Sequence, residues 1–481
     1  MADERVPAVT LQAPDLNGEK HREPVLSVAQ MRAAERAAIT AGITEYELMR
    51  RAGEGAAQWV VRMAAGRRVC VLCGLGNNGG DGYVIAAALQ RAGIEVDVIA
   101  PRGPVSAVAR EARSKFDGEV RTSGRIGAPV VVDCLFGYGL NNNITGDYAS
   151  LLEMMGNVPA MRIAIDVPSG IEADTGRIRG PVPSFDLTLA LGAWKLAHFT
   201  QPASLLMGAL RLVPIGLASS PAEAFLSARP VFAPPAADAH KYSRGLLTIV
   251  GGAMPGASIL AAEAAMRSGA GYVRLLSDHS HPSAPADLVI RVDNLEEELS
   301  DDRASAFLIG PGLGRGEGAR GRLAIALDQG MPTVIDADAL HLLDCDVIEG
   351  CDVSAVVLTP HDGELAALCR TFGIPSGTRL AQAKALHGKT GMTVLAKGRN
   401  TALAGEEGAI LFPPATPWLS IAGTGDILAG LVASRLAVHK EPQRAATEGM
   451  WLHSEAARIA APTFSASDLV HAVRPAMATF L

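Results

Sequence analysis

The sequence predicts two α/β domains in tandem, each a three-layer αβα arrangement with a parallel sheet at its centre. Three observations carry this. Short apolar strands alternate with amphipathic helices in both halves of the chain. A stretch rich in Ser, Ala and Pro separates the halves, with Pro221, Pro230, Pro234 and Pro235 close together. The length of 481 residues accommodates two to four domains, at roughly 100–200 residues each. The expected division is a polar tail at 1–24, a first domain at 25–218, a Pro/Ala-rich linker at 219–239 and a second domain at 240–481.

The elements follow in order. Ser27 reads as the N-cap of a helix that runs to Gly42, and Thr44-Glu45-Tyr46-Glu47 as a capping box that opens a second helix. Arg68–Cys73 is a buried strand. A Gly-rich loop follows it, then a helix from about Asp81 to Gly93 and a strand at Ile94–Ala100. Further strands end at Asp133 and Asp166, where ligands of open α/β sheets bind. The second half restarts with a strand at Leu246–Val250 and a helix at about Ser258–Ser268. Strands follow at Tyr272–Leu276, Ala306–Ile309, Thr333–Ile335, Ala355–Leu358 and Thr393–Leu395. Amphipathic helices fill the end of the chain.

Composition narrows the function classes. Apolar residues make up 48% and charged residues 19%, which favours a core-rich globular protein over a disordered one. Aromatics are only 4%, too few for platforms that stack nucleic-acid bases. Lys and Arg total 43 against 50 Asp and Glu, and no basic stripe marks a nucleic-acid partner. Six cysteines in so long a chain read as reduced thiols rather than a disulfide framework. No apolar signal core opens the sequence, and no apolar run reaches membrane-spanning length. A cytoplasmic protein without a membrane or nucleic-acid partner is expected. Its Gly- and Ala-rich surface permits a homo-oligomer.

In the first half, Gly74-Leu75-Gly76-Asn77-Asn78-Gly79 matches G-x-G-x-x-G between a strand and a helix, with Asp97 about twenty residues on. The pattern is that of a dinucleotide-binding fingerprint in a Rossmann-like domain, and a glycine-rich turn needed only for packing is the alternative. Asn77, Asn78 and Asp81 nevertheless place amides and a carboxylate where a pyrophosphate needs bare N–H groups. Such oxygens suit a cation or the hydroxyl and carboxamide groups of a ligand. Cys70 and Cys73 lie three apart on a strand, so they face opposite sides and share no site. Asp133 to Gly139 and Ile165 to Gly170 each set a strand-terminal Asp before a Gly-containing turn. One such Asp is often only a turn former, but two beside Asn78 and Asp81 can converge on a crevice.

These residues resemble the NAD(P)H-hydrate epimerase family, the YjeF N-terminal domain, through Asn77 to Gly82, Asp133 to Gly139, Ile165 to Gly170 and Asp174-Thr175-Gly176. That family interconverts the two epimers of hydrated NADH and NADPH beside a potassium ion. The resemblance implies substrate contacts at Asn77, Asn78, Gly79, Gly80, Asp81, Gly137, Tyr138, Gly139, Leu140, Asn141, Asn142 and Asn143. It implies potassium ligands at Asn78, Asp133 and Ser169, and the acid–base residue, also in contact with substrate, at Asp166. Lys195 stands where the family has a lysine after a late strand. After Gly139-Leu140 the family usually continues with a basic residue and a proline, and this chain has three asparagines.

In the second half, Ala422-Gly423-Thr424-Gly425-Asp426 precedes an apolar helix. Its free N–H groups and the helix dipole suit a phosphoryl group, and Asp426 could take a proton from an attacking hydroxyl. Such an Asp could equally just balance the dipole. Gly310 to Gly314 permits close ligand approach, Lys397 to Thr401 could hold nucleotide phosphate, and no P-loop motif is present. Asp336 and Asp338 read either as paired carboxylates or as a strand end with a cap. His361 and Glu364 lack a further His or Cys that would suggest zinc.

With His240-Lys241, Gly251-Gly252, Gly256-Ala257, Ser268 to Gly271, Asp336 to Leu340 and Thr359 to Glu364, these motifs resemble the ADP- or ATP-dependent NAD(P)H-hydrate dehydratase family. The resemblance implies a ribokinase-like fold, with ADP or ATP as co-substrate together with Mg2+. It implies hydrate contacts at Ala257, Gly312, Gly314, His361 and Asp426, with Asp426 catalytic. It places the nucleotide at Lys397, Gly398, Arg399, Asn400, Thr401 and Gly425. Where the family commonly has Asn-Pro-Gly, this chain has Thr416 to Ser420. Together the two resemblances imply one bifunctional repair enzyme for NADH and NADPH hydrates. The nearest rival is a ribokinase-type small-molecule kinase with a nucleotide-binding first domain. An NAD-dependent dehydrogenase and a nucleotide sensor without turnover stand further off.

Overall fold

The computed structural model describes residues 23–218, 221–277, 279, 281–292 and 295–481. Most of the expected polar tail therefore lies outside the described residues, as do 219 and 220 of the expected linker.

The first sheet uses β2 (Val69–Cys73), β3 (Val96–Ile99), β4 (Val120–Arg121), β5 (Val130–Cys134), β6 (Met161–Ile165), β7 (Leu187–Leu191) and β9 (Ala209–Val213). Its order is β4-β3-β2-β5-β6-β7-β9, and every pairing is parallel. The strand order reverses between β2 and β5, which opens a crevice beyond their carboxyl ends. β2 and β5 are buried throughout, as expected of strands covered on both faces.

Local signals set the flanking helices. Ser27 caps Val28–Thr40 through a full capping box with Gln30. Thr44 caps Glu45–Ala64 by accepting from the Glu47 amide, without the reciprocal half expected from the sequence. The helix expected from about Asp81 begins earlier and covers Asn77–Arg91, with Gly76 as N-cap. The supposed loop is thus the helix's own first turn. Glycine permits this packing: a Cβ on Gly79 would lie 1.9 Å from the Gly74 carbonyl oxygen.

The second sheet has twelve strands, ordered β13-β12-β11-β14-β15-β16-β17-β18-β19-β10-β1-β8. Its parallel part contains β11 (Leu246–Val250), β12 (Tyr272–Leu276), β13 (Val289–Arg291), β14 (Ala304–Ile309), β15 (Thr333–Ile335), β16 (Val356–Leu358) and β17 (Thr393–Ala396). It continues antiparallel through β18 (Ala402–Gly405) and β19 (Gly408–Leu411). The helices Pro255–Met266, Thr424–His439 and Pro442–Ala460 pack beside it, and their Ala-rich faces allow close approach.

The same sheet joins the two halves of the chain. β19 pairs with β10 (Ala224–Leu226), which lies in the stretch assigned to the linker. β10 pairs with β1 (Glu23–Leu26), whose first two residues belong to the expected tail, and β1 pairs with β8 (Trp194–Lys195). Further along the same stretch, Phe232 is buried and stacks on Phe480 with ring centroids 4.8 Å apart. All six thiols are free. Among the described residues no helix is long and apolar enough to cross a membrane.

Candidate active sites in the two halves

The ends of β5 and β6 bring the first group together. Asp166 follows β6 with φ 68°, a left-handed conformation that costs a non-glycine residue about 1 kcal/mol. Its carboxylate is held from three sides. Oδ1 accepts from the Lys195 ammonium at 2.5 Å and from the Leu191 amide at 3.4 Å, while Oδ2 accepts from the Tyr138 amide at 2.9 Å. Lys195 is fully buried and also donates to the Leu191 carbonyl. His198 supports the same turn. Its Nδ1 accepts from the Lys195 amide, so Nε2 carries the proton and donates to the Asp166 carbonyl at 2.8 Å. Burial, then the neighbouring Lys195 charge, pushes the His198 pKa down to about 4, so the ring is neutral.

A cavity of about 700 Å³ opens over this carboxylate. Of the expected substrate residues, Asn77, Asn78, Asp81, Gly137 to Asn143 and Asp166 line it. Gly79 and Gly80 instead pack against Gly74 and Met49. A Cβ on Gly137 would sit 3.1 Å from Asp166 Oδ2 and 3.3 Å from Asn78, so a side chain there would crowd both. Sequence reasoning missed Glu35, which lines the cavity and accepts from the Tyr138 hydroxyl at 2.6 Å. The helix Val28–Thr40 carries it, and no local motif marks it. Burial raises the pKa of Glu35. Burial, reinforced by the charges of Asp166 and Glu35, raises that of Asp81 well above its ordinary value.

Asp133 and Ser169 meet outside this lining, next to Phe136, whose amide donates to the Ser169 hydroxyl. Asp133 accepts from the Ser169 hydroxyl at 2.7 Å and from the Ser169 and Leu135 amides, yet burial still raises its pKa. Asn78 donates to the Ile165 carbonyl, and its buried Oδ1 has no hydrogen-bond partner. A buried oxygen left without a donor fits an oxygen-liganded cation.

The second group surrounds the N-terminus of the helix Thr424–His439. Gly423 takes φ 90° as its N-cap, and no side chain caps the first-turn amides. Lys397 projects from the end of β17 and bonds Asp336 Oδ1 at 2.5 Å, with Glu364 3.8 Å away. Burial and the charge of Asp336 push the Asp426 pKa up to about 7, against the pull of Lys397. That value suits a base that is half ionised near neutrality. A cavity of about 600 Å³ is lined by Lys397, Gly398, Arg399, Thr401, Gly425, Asp426 and His361.

Asn400 does not line it. It is buried, and its Oδ1 accepts from the Ser204 hydroxyl of the other half at 3.0 Å. Ala257, Gly312 and Gly314 also lie outside this lining. They gather at the end of β14, where a Cβ on Gly312 would lie 3.3 Å from that of Ala257 and the Gly314 amide donates to Asp338. His361 acts as a helix cap that accepts from the Gly363 and Glu364 amides. His453, a lining residue with no sequence motif around it, is buried and held neutral, with its pKa near 4. Its Nε2 bonds the Thr424 carbonyl at 3.0 Å, and its Nδ1 has no partner.

Both halves match known families. Residues 45–197 match the family model described as YjeF-related protein N-terminus, and residues 247–476 match that of NAD(P)H-hydrate dehydratase. The chain is 33% identical over 465 residues to a bifunctional NAD(P)H-hydrate repair enzyme of Coxiella burnetii, covering 90% of this chain and 94% of that one. It is 35% identical over 464 residues to the protein of that name from Escherichia coli, covering 90% and 89%. Among solved structures it is similar to the ADP/ATP-dependent NAD(P)H-hydrate dehydratase of Bacillus subtilis co-crystallised with ATP and Mg2+, at 25% identity and TM-score 0.45, over 52% of this chain and 95% of that one.

Proposed function

The chain belongs to the family of bifunctional NAD(P)H-hydrate repair enzymes, and from that premise we propose how its two cavities divide the work. The first epimerises the hydrated nicotinamide ring, and the second dehydrates the S epimer to NAD(P)H at the expense of ADP or ATP. The observation that carries this division is the presence of two separate cavities, one built on Asp166 and the other on Asp426.

In the first cavity, Asp166 handles the proton at the ring hydroxyl. Lys195, His198 and the Tyr138 amide fix its orientation, so little reorganisation accompanies proton transfer. Asn77, Asp81 and the turn Gly137–Asn143 bind the substrate. Asn78, Asp133 and Ser169 hold a potassium ion, which satisfies the unpartnered Asn78 oxygen and offsets the burial of Asp133. When bound, this ion supplies positive charge beside the substrate.

In the second cavity, the amides at Gly423–Gly425 and the Lys397 ammonium receive the nucleotide's terminal phosphate. Asp426 takes the proton from the ring hydroxyl as its oxygen attacks phosphorus and the bond to the departing nucleotide breaks. Phosphate, a far better leaving group than hydroxide, then departs with the electrons of its C–O bond, and the adjacent ring carbon gives up a proton to water as the ring double bond re-forms. Among the described residues no group of three or more His, Cys, Asp or Glu side chains forms a metal centre. Mg2+ would accompany the nucleotide phosphates.

The test mixes the protein with both epimers of NADH hydrate, with and without ADP or ATP, and follows epimers and NADH by chromatography. Nucleotide-dependent recovery of NADH from both epimers is expected. A stable phosphorylated product would instead favour the small-molecule kinase.

A further inference from the structure

The second cavity is not walled by the second half alone. Gln201, from the first half, lines it beside Arg399 and Thr416. Gln201 is exposed, and its carboxamide forms no hydrogen bond among the described residues. The position is structurally fixed, because Ser204, three residues on, is buried and donates to Asn400 Oδ1 at 3.0 Å. Asn400 lies in the loop Lys397–Thr401, whose other residues line the cavity. Arg379 anchors that loop from behind by bonding the Asn400 carbonyl while it pairs with Asp362. The Arg399 carbonyl accepts from the Ala415 amide at 2.8 Å, which fixes Thr416 and Pro417 as the facing wall.

We propose that Gln201 is a nucleotide-binding residue that the epimerase half supplies to the dehydratase site, and that Ser204 is the positioning residue for the nucleotide loop. The inference rests on reading the second cavity as the nucleotide site. The terminal phosphate belongs near Gly425 and Lys397, where the helix N-terminal amides and the ammonium converge. The loop leads away from Lys397 to Asn400, where Ser204 docks, so Gln201 faces the part of the nucleotide remote from the transferred phosphate. A carboxamide is neutral and offers both donors and an acceptor. It therefore matches the hydroxyls of a ribose or the ring nitrogens of a base better than it matches phosphate oxygens.

The test uses the full chain, with Gln201→Ala, Ser204→Ala and Ser204→Thr assayed on the S hydrate with ADP and with ATP. Wild-type nucleotide binding is measured in parallel by titration calorimetry. Loss of one hydrogen bond raises the nucleotide KM about three- to ten-fold in Gln201→Ala, with kcat, the hydrate KM and the epimerase rate held within about two-fold. Ser204→Ala raises the same KM, and Ser204→Thr, which keeps the hydroxyl, restores it. An unchanged nucleotide KM in Gln201→Ala, with wild-type binding intact, overturns the inference and leaves the nucleotide site standing. A parallel fall in epimerase rate also overturns it, since Gln201 would then act only on folding. Absence of nucleotide binding by the wild-type chain would remove the site reading itself.

Discussion

Lys195 sets its ammonium 2.5 Å from Asp166 Oδ1, with side-chain exposures of 0% and 4%. The two residues are 29 positions apart, Asp166 just after β6 and Lys195 on β8, so the pair exists only in the folded state. Removing one partner strands the other charge in the interior, at a cost of about 3–5 kcal/mol. Lys195→Met should destabilise the chain by that amount, and adding Asp166→Asn should recover much of the loss. Urea denaturation of the two single variants and the double variant measures this. Asp166→Asn alone should lower epimerisation by about 10²–10⁴-fold and leave nucleotide-dependent dehydration of the S hydrate intact.

Asp81 gives a stability prediction of a different sign. Burial and the nearby Asp166 and Glu35 charges raise its folded-state pKa well above the usual value. A group raised in this way binds its proton more tightly in the native state. Its contribution is complete below the unfolded pKa and is lost as pH rises towards the folded one. Asn mimics the protonated acid and has no proton to lose. Asp81→Asn should therefore gain stability relative to wild type as pH rises from 5 to 8, as read from Tm at each pH. A gap that closes over this range would contradict the assignment.

The potassium proposal depends on one orphaned atom, the buried Oδ1 of Asn78. Replacing K+ by choline in the buffer should weaken hydrate binding at the first cavity and lower Tm, because a ligand bound only by the native state stabilises it. Asn78→Ala should abolish both responses and leave dehydration of the S hydrate unaffected. An ion-independent Tm in wild type would remove the site.

Much of this was legible in the sequence because strands and glycine turns are local. Leu246–Val250, Tyr272–Leu276 and Thr333–Ile335 match their strands end to end. The helix start at Asn77 was less legible, since three glycines in its first six residues read as loop, and the close approach to Gly74 that demands them is tertiary. Glu35, His198 and His453 carry no motif, because their importance comes from what β5, β6 and the helix Thr424–His439 place against them. The sheet that runs through β10 was hidden for another reason. Three residues in a Ser- and Pro-rich stretch pair with strands about 185 residues later and 200 residues earlier, and no periodicity reports such contacts.

Asp426 gives the sharpest kinetic prediction. Its pKa is pushed up to about 7 by burial and by Asp336, and Lys397 opposes the rise. If the carboxylate is the base, the dehydration kcat/KM should fall about ten-fold per pH unit below 7 and level off above it. Asp426→Ala should abolish dehydration and spare epimerisation. Lys397→Met removes the positive charge that favours ionisation, so the acidic limb should move to higher pH while the nucleotide KM rises. Both effects are read from one set of pH profiles at saturating hydrate. An acidic limb that stays at the same pH in Lys397→Met would mean that another group sets it, because no change beside the true base could leave its ionisation untouched.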